Sequence, residues 1–126
     1  MLPNVVATSS QVIEDITRKH GDQRSAISTV TIIELTHGIY RAKMVANRDR
    51  RRAFMEDLCK AVAVQPVTLE IAQLAGQIEG EQAAKGIVIP FQDLVIGATA
   101  LHLGFDVATH NTKHFQLIPG LKIVSP

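Results

Sequence analysis

The 126-residue sequence contains one cysteine, no tryptophan and only 4% aromatic residues. A single cysteine, Cys59, excludes an internal disulfide framework and is typical of proteins in a reducing compartment. Because aromatic residues are so few, the core must consist of Val, Ile, Leu and Ala side chains, as is typical of helices packed on a parallel sheet. The hydrophobic content of 46% indicates a folded chain and argues against disorder.

Long apolar runs and a strong charge of either sign are also missing. No run approaches the roughly 20 apolar residues that cross a bilayer. The first ten residues have neither the basic leader nor the apolar stretch of a signal peptide, so we expect a cytoplasmic protein without membrane contact. A net charge of +1 gives no sign of a nucleic-acid partner. The function must therefore be inferred from local chemistry.

Short apolar segments alternate with amphipathic ones along the whole chain, which predicts one domain over residues 1–126. This alternation indicates an α/β fold in which helices cover both faces of a parallel sheet. Ligands of such sheets bind beyond the carboxyl ends of the strands. The predicted strands are residues 25–28, 63–67, 105–110 and 121–124, and the predicted helices are residues 8–20, 31–45, 48–60, 68–86 and 90–103.

Asp93 is the only formally charged residue between Gly86 and Phe105, in a stretch of Ile, Val, Leu, Ala and Gly. A helix that is apolar on nearly all sides is usually buried. A buried carboxylate costs several kcal/mol unless it is paired, hydrogen-bonded or bound to a metal. Asp93 is therefore either a functional acid or a residue that complements the start of its helix.

Glu34 lies in the first turn of the helix that follows the strand at residues 25–28, among the apolar neighbours Ile32, Ile33 and Leu35. It either forms an ordinary surface pair or joins Asp93, because both acids follow predicted strands. Converging carboxylates repel one another and need a cation, and oxygen ligands favour Mg²⁺ or Mn²⁺.

A polar turn follows the strand predicted at residues 105–110. Thr109 and Asn111 have oxygen atoms that can face the same crevice. Asn111 is equally suited to a plain turn, since asparagine is common there.

A basic cluster lies in the helix predicted at residues 48–60. It either contacts RNA phosphates or forms a solvated face balanced by nearby acids. The cluster consists of Arg48, Arg50, Arg51 and Arg52.

Three segments resemble successive motifs of VapC-type PIN-domain toxins, in matching order and spacing. They are AISTVTIIELTHGIYRA (residues 26–42), IPFQDLVIGATALHLG (residues 89–104) and VATHNTKHFQLIPGLKIV (residues 107–124). The resemblance covers residues 21 to 126. It implies a three-layer α/β/α fold around a short parallel sheet.

The resemblance also implies an activity, a site and partners. The activity is that of a Mg²⁺- or Mn²⁺-dependent ribonuclease of a toxin–antitoxin pair. Glu34 and Asp93 fall on the family's metal-binding glutamate and aspartate, and Asn111 and Thr109 fall on positions that line the site. The partners implied are an RNA substrate, a cognate antitoxin and a second copy of the chain in a homodimer.

One departure from the family concerns the start of the chain. Family members begin with a strand that ends in Asp-Thr-Ser, and its Asp is a central metal ligand. Either Ala7-Thr8-Ser9 replaces this motif after a strand at residues 4–6, or the first strand and helix are absent and the domain is N-terminally incomplete. We favour the second alternative, because the run from Ala7 to Glu34 is short for a pair of helices.

The missing acid affects the expected chemistry. With only Glu34 and Asp93 charged and Asn111 neutral, cation affinity should fall sharply, and with it the activation of water. Our hypothesis is a chain with little nuclease activity. The alternative function is an inactive PIN-domain remnant that binds antitoxin or RNA without cleaving it.

Overall fold

A computed structural model describes residues 4–21 and 24–126 of the chain. These residues form five short parallel strands and five helices. The strands are β1 (Val5–Ala7), β2 (Ser25–Ser28), β3 (Ala63–Gln65), β4 (Asp106–Ala108) and β5 (Ile123–Val124). The helices are α1 (Ser10–His20), α2 (Thr29–Arg41), α3 (Val45–Ala61), α4 (Leu69–Ala83) and α5 (Phe91–Leu103), and a short 3-10 turn spans Phe115–Leu117.

The strands pair in the order β3-β2-β1-β4-β5, and every pairing is parallel. The strand β1 lies at the centre, where Val6 pairs with Ala26 of β2 and with Val107 of β4. The strand β3 lies at an edge, as its proline-flanked sequence suggests. All five carboxyl ends therefore lie along one edge of the sheet.

Two apolar clusters cover the two faces of the sheet. Because successive strand residues point to opposite faces, Val6 packs with α4 and α5 while Val5 and Ala7 pack with α1 and α3. The helix α5 is buried without interruption from Leu94 to Ala100. The predicted three-layer α/β/α fold is confirmed.

Local signals in the sequence set the helix boundaries. The hydroxyls of Ser9 and Thr68 cap α1 and α4, and Ser28 caps α2. The helix α1 stops at Gly21, which has a φ of 61°. Because Ser28 caps α2, that helix begins two residues before the predicted start.

The preferred alternative for the start of the chain was wrong. The first strand is present as β1, and one helix of 11 residues, α1, connects it to β2. A parallel connection needs only one helix, so the short run from Ala7 to Glu34 needs no helix pair. The other alternative agrees with the structure, since β1 ends at Ala7. The predicted domain limits also include residues 1–3 and 22–23, which lie outside the described residues.

Asp15 ties α1 to the segment that follows β4. Its side chain is 9% exposed, and its Oδ2 lies 2.5 Å from Nε2 of His110. The hydrogen bond with His110 is the main cause that holds the pKa of Asp15 below its usual 3.8; Gln11 and Arg18 lower it as well, and burial opposes them.

We expect Asp15→Asn to lower the free energy of unfolding near neutral pH. A carboxyl group whose pKa is depressed by folding stabilises the fold above its unfolded pKa of about 4, and this contribution is lost as the pH falls through the folded pKa. The difference from wild type should therefore shrink as the pH falls below about 4, and should vanish once Asp15 is protonated in the folded state as well. Urea unfolding across this range measures it, with Glu14→Gln, an exposed acid on the same helix, as the control. A difference that stays constant with pH would contradict the assignment.

Candidate functional site

The carboxyl ends of β1, β2 and β4 form the candidate site. The amide of Thr8 donates to the carbonyl of Ala108 at 3.2 Å, so the chain leaves β1 directly beside the end of β4. The end of β2 is Ser28, which is fully buried and accepts the amide of Val30 at 3.1 Å. This cap turns the chain into α2, the helix that carries Glu34.

Glu34 is exposed on α2 and accepts a hydrogen bond from Gln92 of α5, with 2.5 Å between its Oε2 and the Nε2 of Gln92. Gln92 immediately precedes Asp93. The structure therefore brings Glu34 to the start of α5, in contact with the residue that precedes the second predicted acid. The ordinary surface pair with Arg41 or His37 is not formed among the described residues.

Asp93 lies in the first turn of α5, whose N-cap residue Pro90 provides no side-chain cap. The expectation that this acid follows a strand is wrong, because α5 comes directly after α4 in the chain. Its side chain is 24% exposed, and its Oδ2 lies 2.7 Å from Nδ1 of His114. The side chain of His114 thus holds this acid at the N-terminal end of a helix that is buried from Leu94 onward.

Thr109 and Asn111 form a tight turn beyond β4. The Thr109 hydroxyl donates to the Asn111 carbonyl at 3.2 Å and lies 3.1 Å from the Asn111 amide, from which it accepts. The Asn111 Oδ1 accepts the amide of Lys113 at 3.4 Å. Both residues lie at the predicted edge, but no hydrogen bond joins them to Glu34 or Asp93 within residues 4–21 and 24–126.

Sequence reasoning missed Gln92 and His114. Each contacts one of the two acids, and neither belongs to a spacing pattern that marks a site. Only the packing of α5 against α2 and against the turn after β4 brings these partners together.

Residues 7–121 match the PIN domain family. The chain belongs to the PIN-domain family. It is 33% identical over 100 residues to the tRNA(fMet)-specific endonuclease VapC of Salmonella typhimurium, which covers 79% of this chain and 74% of that protein. It is 30% identical to the Ribonuclease VapC of Rickettsia bellii, with the same shares of the two chains covered.

Solved structures agree with the fold of this PIN domain. A DNA-bound VapBC complex from Salmonella typhimurium contains a chain that aligns with a TM-score of 0.83 and 26% identity, covering 99% of this chain and 98% of that one. VapBC-5 from Mycobacterium tuberculosis aligns with a TM-score of 0.80 over 99% of this chain and 100% of that one; at 23% identity it supports the fold alone. The resemblance to VapC-type toxin ribonucleases is confirmed.

We expect Thr109→Val to lower the free energy of unfolding by about 0.5–1.5 kcal/mol, because the amide of Asn111 loses its acceptor. Thr109 is only 3% exposed, so water cannot easily take the place of the hydroxyl. Thr109→Ser keeps the hydroxyl and should cost clearly less. Urea unfolding of the two variants measures the difference, and equal stability would show that the turn does not depend on this hydroxyl.

Proposed function

We propose that this PIN domain is a divalent-metal-dependent ribonuclease toxin, in which Glu34 and Asp93 hold Mg²⁺ or Mn²⁺ and Thr109 and Asn111 line the site. The observation that carries the proposal is the hydrogen bond from Gln92 to Glu34, which joins Glu34 to the first turn of α5, the turn that also contains Asp93. The family relationship with VapC ribonucleases supports RNA as the substrate class.

The residues present fit a weak site for a hard cation. Within the described residues, the second oxygen of each carboxylate, Oε1 of Glu34 and Oδ1 of Asp93, makes no hydrogen bond. No cluster of three His, Cys, Asp or Glu side chains that could hold a metal occurs among those residues. Mg²⁺ commonly keeps several waters and binds through one or two carboxylates and the phosphates of its substrate. Two carboxylates are therefore sufficient for a cation that takes its other ligands from water and RNA.

The protein groups have separate roles in this proposal. Glu34 and Asp93 supply negative charge and oxygen ligands, while Gln92 and His114 orient them. A bound cation supplies activation of water and stabilisation of charge on the phosphate. Ala7, fully buried at the end of β1, stands where the family carries its third acid, and we propose that this lowers cation affinity and rate.

The proposal extends to partners and location. Several similar solved structures are complexes named VapBC or FitAcB, and we propose that this chain likewise binds a cognate antitoxin. We also propose a homodimer and a cytoplasmic site of action. The exposed apolar side chains of Val67 and Phe91, which line one small hollow between α4 and α5, support an interface on that face. No helix in the described part of the chain is long and apolar enough to cross a membrane.

We expect Glu34→Gln and Asp93→Asn each to weaken Mn²⁺ binding by about 10- to 100-fold or more, since each removes a charged ligand that the remaining residues cannot replace. RNA cleavage should fall with it. Isothermal titration with Mn²⁺ and a cleavage assay measure the two effects, and Glu70→Gln, an exposed acid on α4, is the control. Unchanged Mn²⁺ binding in both variants would exclude these acids as ligands. It would favour the inactive remnant only if the wild type also fails to cleave RNA.

We expect Ala7→Asp to lower the melting temperature without metal and to make Mn²⁺ strongly stabilising. A buried unpaired carboxylate costs several kcal/mol, whereas a ligand at 100 times its Kd adds about 2.7 kcal/mol. Thermal unfolding with EDTA and with Mn²⁺ measures both effects.

The neutral variant Ala7→Asn has nearly the same shape and controls for the added volume. If Mn²⁺ raises the melting temperature of Ala7→Asp no more than that of Ala7→Asn, Ala7 does not occupy a ligand position.

A further inference from the structure

A cleft of about 460 Å³ opens between α2 and α3 and reaches the first turn of α1. We call it the α2–α3 cleft. Glu34 lines it, so the cleft is continuous with the candidate metal site. Its volume lies in the range of small-molecule sites. An RNA strand with a phosphate near Glu34 must extend over the protein surface beside that residue. The α2–α3 cleft is part of that surface.

The charges that line the α2–α3 cleft favour an anion. Its formally charged side chains are three arginines, Arg41, Arg50 and Arg51, and a single carboxylate, Glu34. The Nη1 of Arg51 donates to the Gly38 carbonyl at 2.5 Å. The Nη2 of Arg50 donates to the Asn47 Oδ1 at 3.0 Å. Each guanidinium has five N–H donors, so donors remain for a phosphate.

The other arginines of the basic cluster do not line this cleft. Arg48 Nε donates to the Ala42 carbonyl at 2.7 Å, and Arg52 pairs with Asp49 at 3.6 Å. The cluster therefore divides into two arginines that line the cleft, Arg50 and Arg51, and two that do not, Arg48 and Arg52. The sequence offered two alternatives for the whole cluster, contact with RNA phosphates or a solvated face. Only Arg50 and Arg51 are placed for the first, because they line the cleft.

Two further polar features belong to the cleft. The hydroxyl of Thr31 is buried, with the residue 2% exposed, and has no hydrogen-bond partner among the described residues. A buried group without a partner costs about 1–3 kcal/mol. Because this oxygen has less than 1 Å² of accessible surface, a ligand can reach it only if neighbouring side chains move. Ser9 Oγ caps the amide of Val12, so the first amides of α1, at Ser10 and Gln11, have no partner within the helix. A helix start of this kind favours phosphate.

The apolar part of the cleft suits a base. Phe54 is 39% exposed, and Met55 and Leu35 lie beside it in the lining. An exposed aromatic ring next to guanidinium groups is the arrangement by which proteins hold single-stranded nucleic acid, with bases stacked on the ring and phosphates on the cations.

We propose that the α2–α3 cleft is a nucleotide subsite for the RNA strand next to the cleaved bond. In this subsite Arg50 and Arg51 bind a backbone phosphate, and a base packs on Phe54. The inference rests on the proposed function for its substrate class. It adds the position of the strand relative to the metal site.

The test is binding of a short labelled single-stranded RNA in EDTA, where cleavage cannot occur, measured by fluorescence anisotropy over a range of salt. We expect Arg50→Ala to weaken binding by about tenfold and to reduce the salt slope by about 0.7, the value for one lost phosphate contact on single strands. Phe54→Leu keeps an apolar side chain but removes the ring, and should weaken binding by about fivefold or more with little change of slope.

Arg52→Ala is the matched control, because it removes the same charge from the same helix outside the cleft. Arg50→Gln is a second variant that can keep the contact with Asn47 if Arg50→Ala unfolds. Equal losses in Arg50→Ala and Arg52→Ala would show an effect of net charge alone and overturn the subsite. So would wild-type protein that binds no RNA in EDTA.

Labelled poly-glutamate serves as a second probe. If Arg50→Ala loses that probe but keeps RNA binding, the cleft accepts an acidic protein segment and the nucleotide subsite is excluded. If RNA binds in the cleft but Mg²⁺ and Mn²⁺ support no cleavage, the subsite stands and the proposed catalytic function fails. The two proposals therefore fail separately.

Discussion

Parallel pairing of β1 with both β2 and β4 places the ends of these three strands, at Ala7, Ser28 and Ala108, at one edge of the sheet of this PIN domain. Each strand has only two to four residues, and its carboxyl end leads into a polar segment or a helix cap. The hydrogen bond from the Thr8 amide to the Ala108 carbonyl fixes the register of β1 against β4 at the point where β1 ends. If β1 were displaced by one residue, its side chains would exchange faces, and the core clusters on both sides would lose their fit.

The two acids at this edge are exposed to different degrees and are held differently. Glu34 is exposed on α2 and is held by Gln92, whereas Asp93 is only partly exposed and is held by His114. Each contact leaves the second carboxylate oxygen without a hydrogen bond in the described structure. Neutral or histidine partners orient a carboxylate without the strong competition of an arginine, so the acids keep their capacity for a cation. The arginines lie farther along the same edge, in the α2–α3 cleft.

The arrangement separates two electrostatic tasks. Negative charge collects where a cation is needed, at Glu34 and Asp93, and positive charge lines the adjoining cleft at Arg41, Arg50 and Arg51. RNA fits both features, because its phosphate backbone is an anion that arginines bind and its cleavage needs a cation that carboxylates hold. In the proposed function Ala7 weakens the first task, and it leaves the second unchanged because it does not line the cleft. Under the two proposals, binding and cleavage of RNA therefore depend on different residues of this chain.

The sequence by itself determined the fold class, the strand β2 and the caps of α1 and α4, because alternation of apolar residues and capping hydroxyls are local signals. It also singled out Glu34 and Asp93, since a charge in an apolar stretch is visible without coordinates. It failed at β1, because three apolar residues, Val5–Ala7, carry too little pattern to mark a strand, and the pairing that stabilises them comes from β2 and β4. Only the tertiary structure decided that Gln92 and His114 hold the acids and which arginines face the cleft. Those contacts join side chains from separate elements, and helix packing, rather than spacing along the chain, sets their distances.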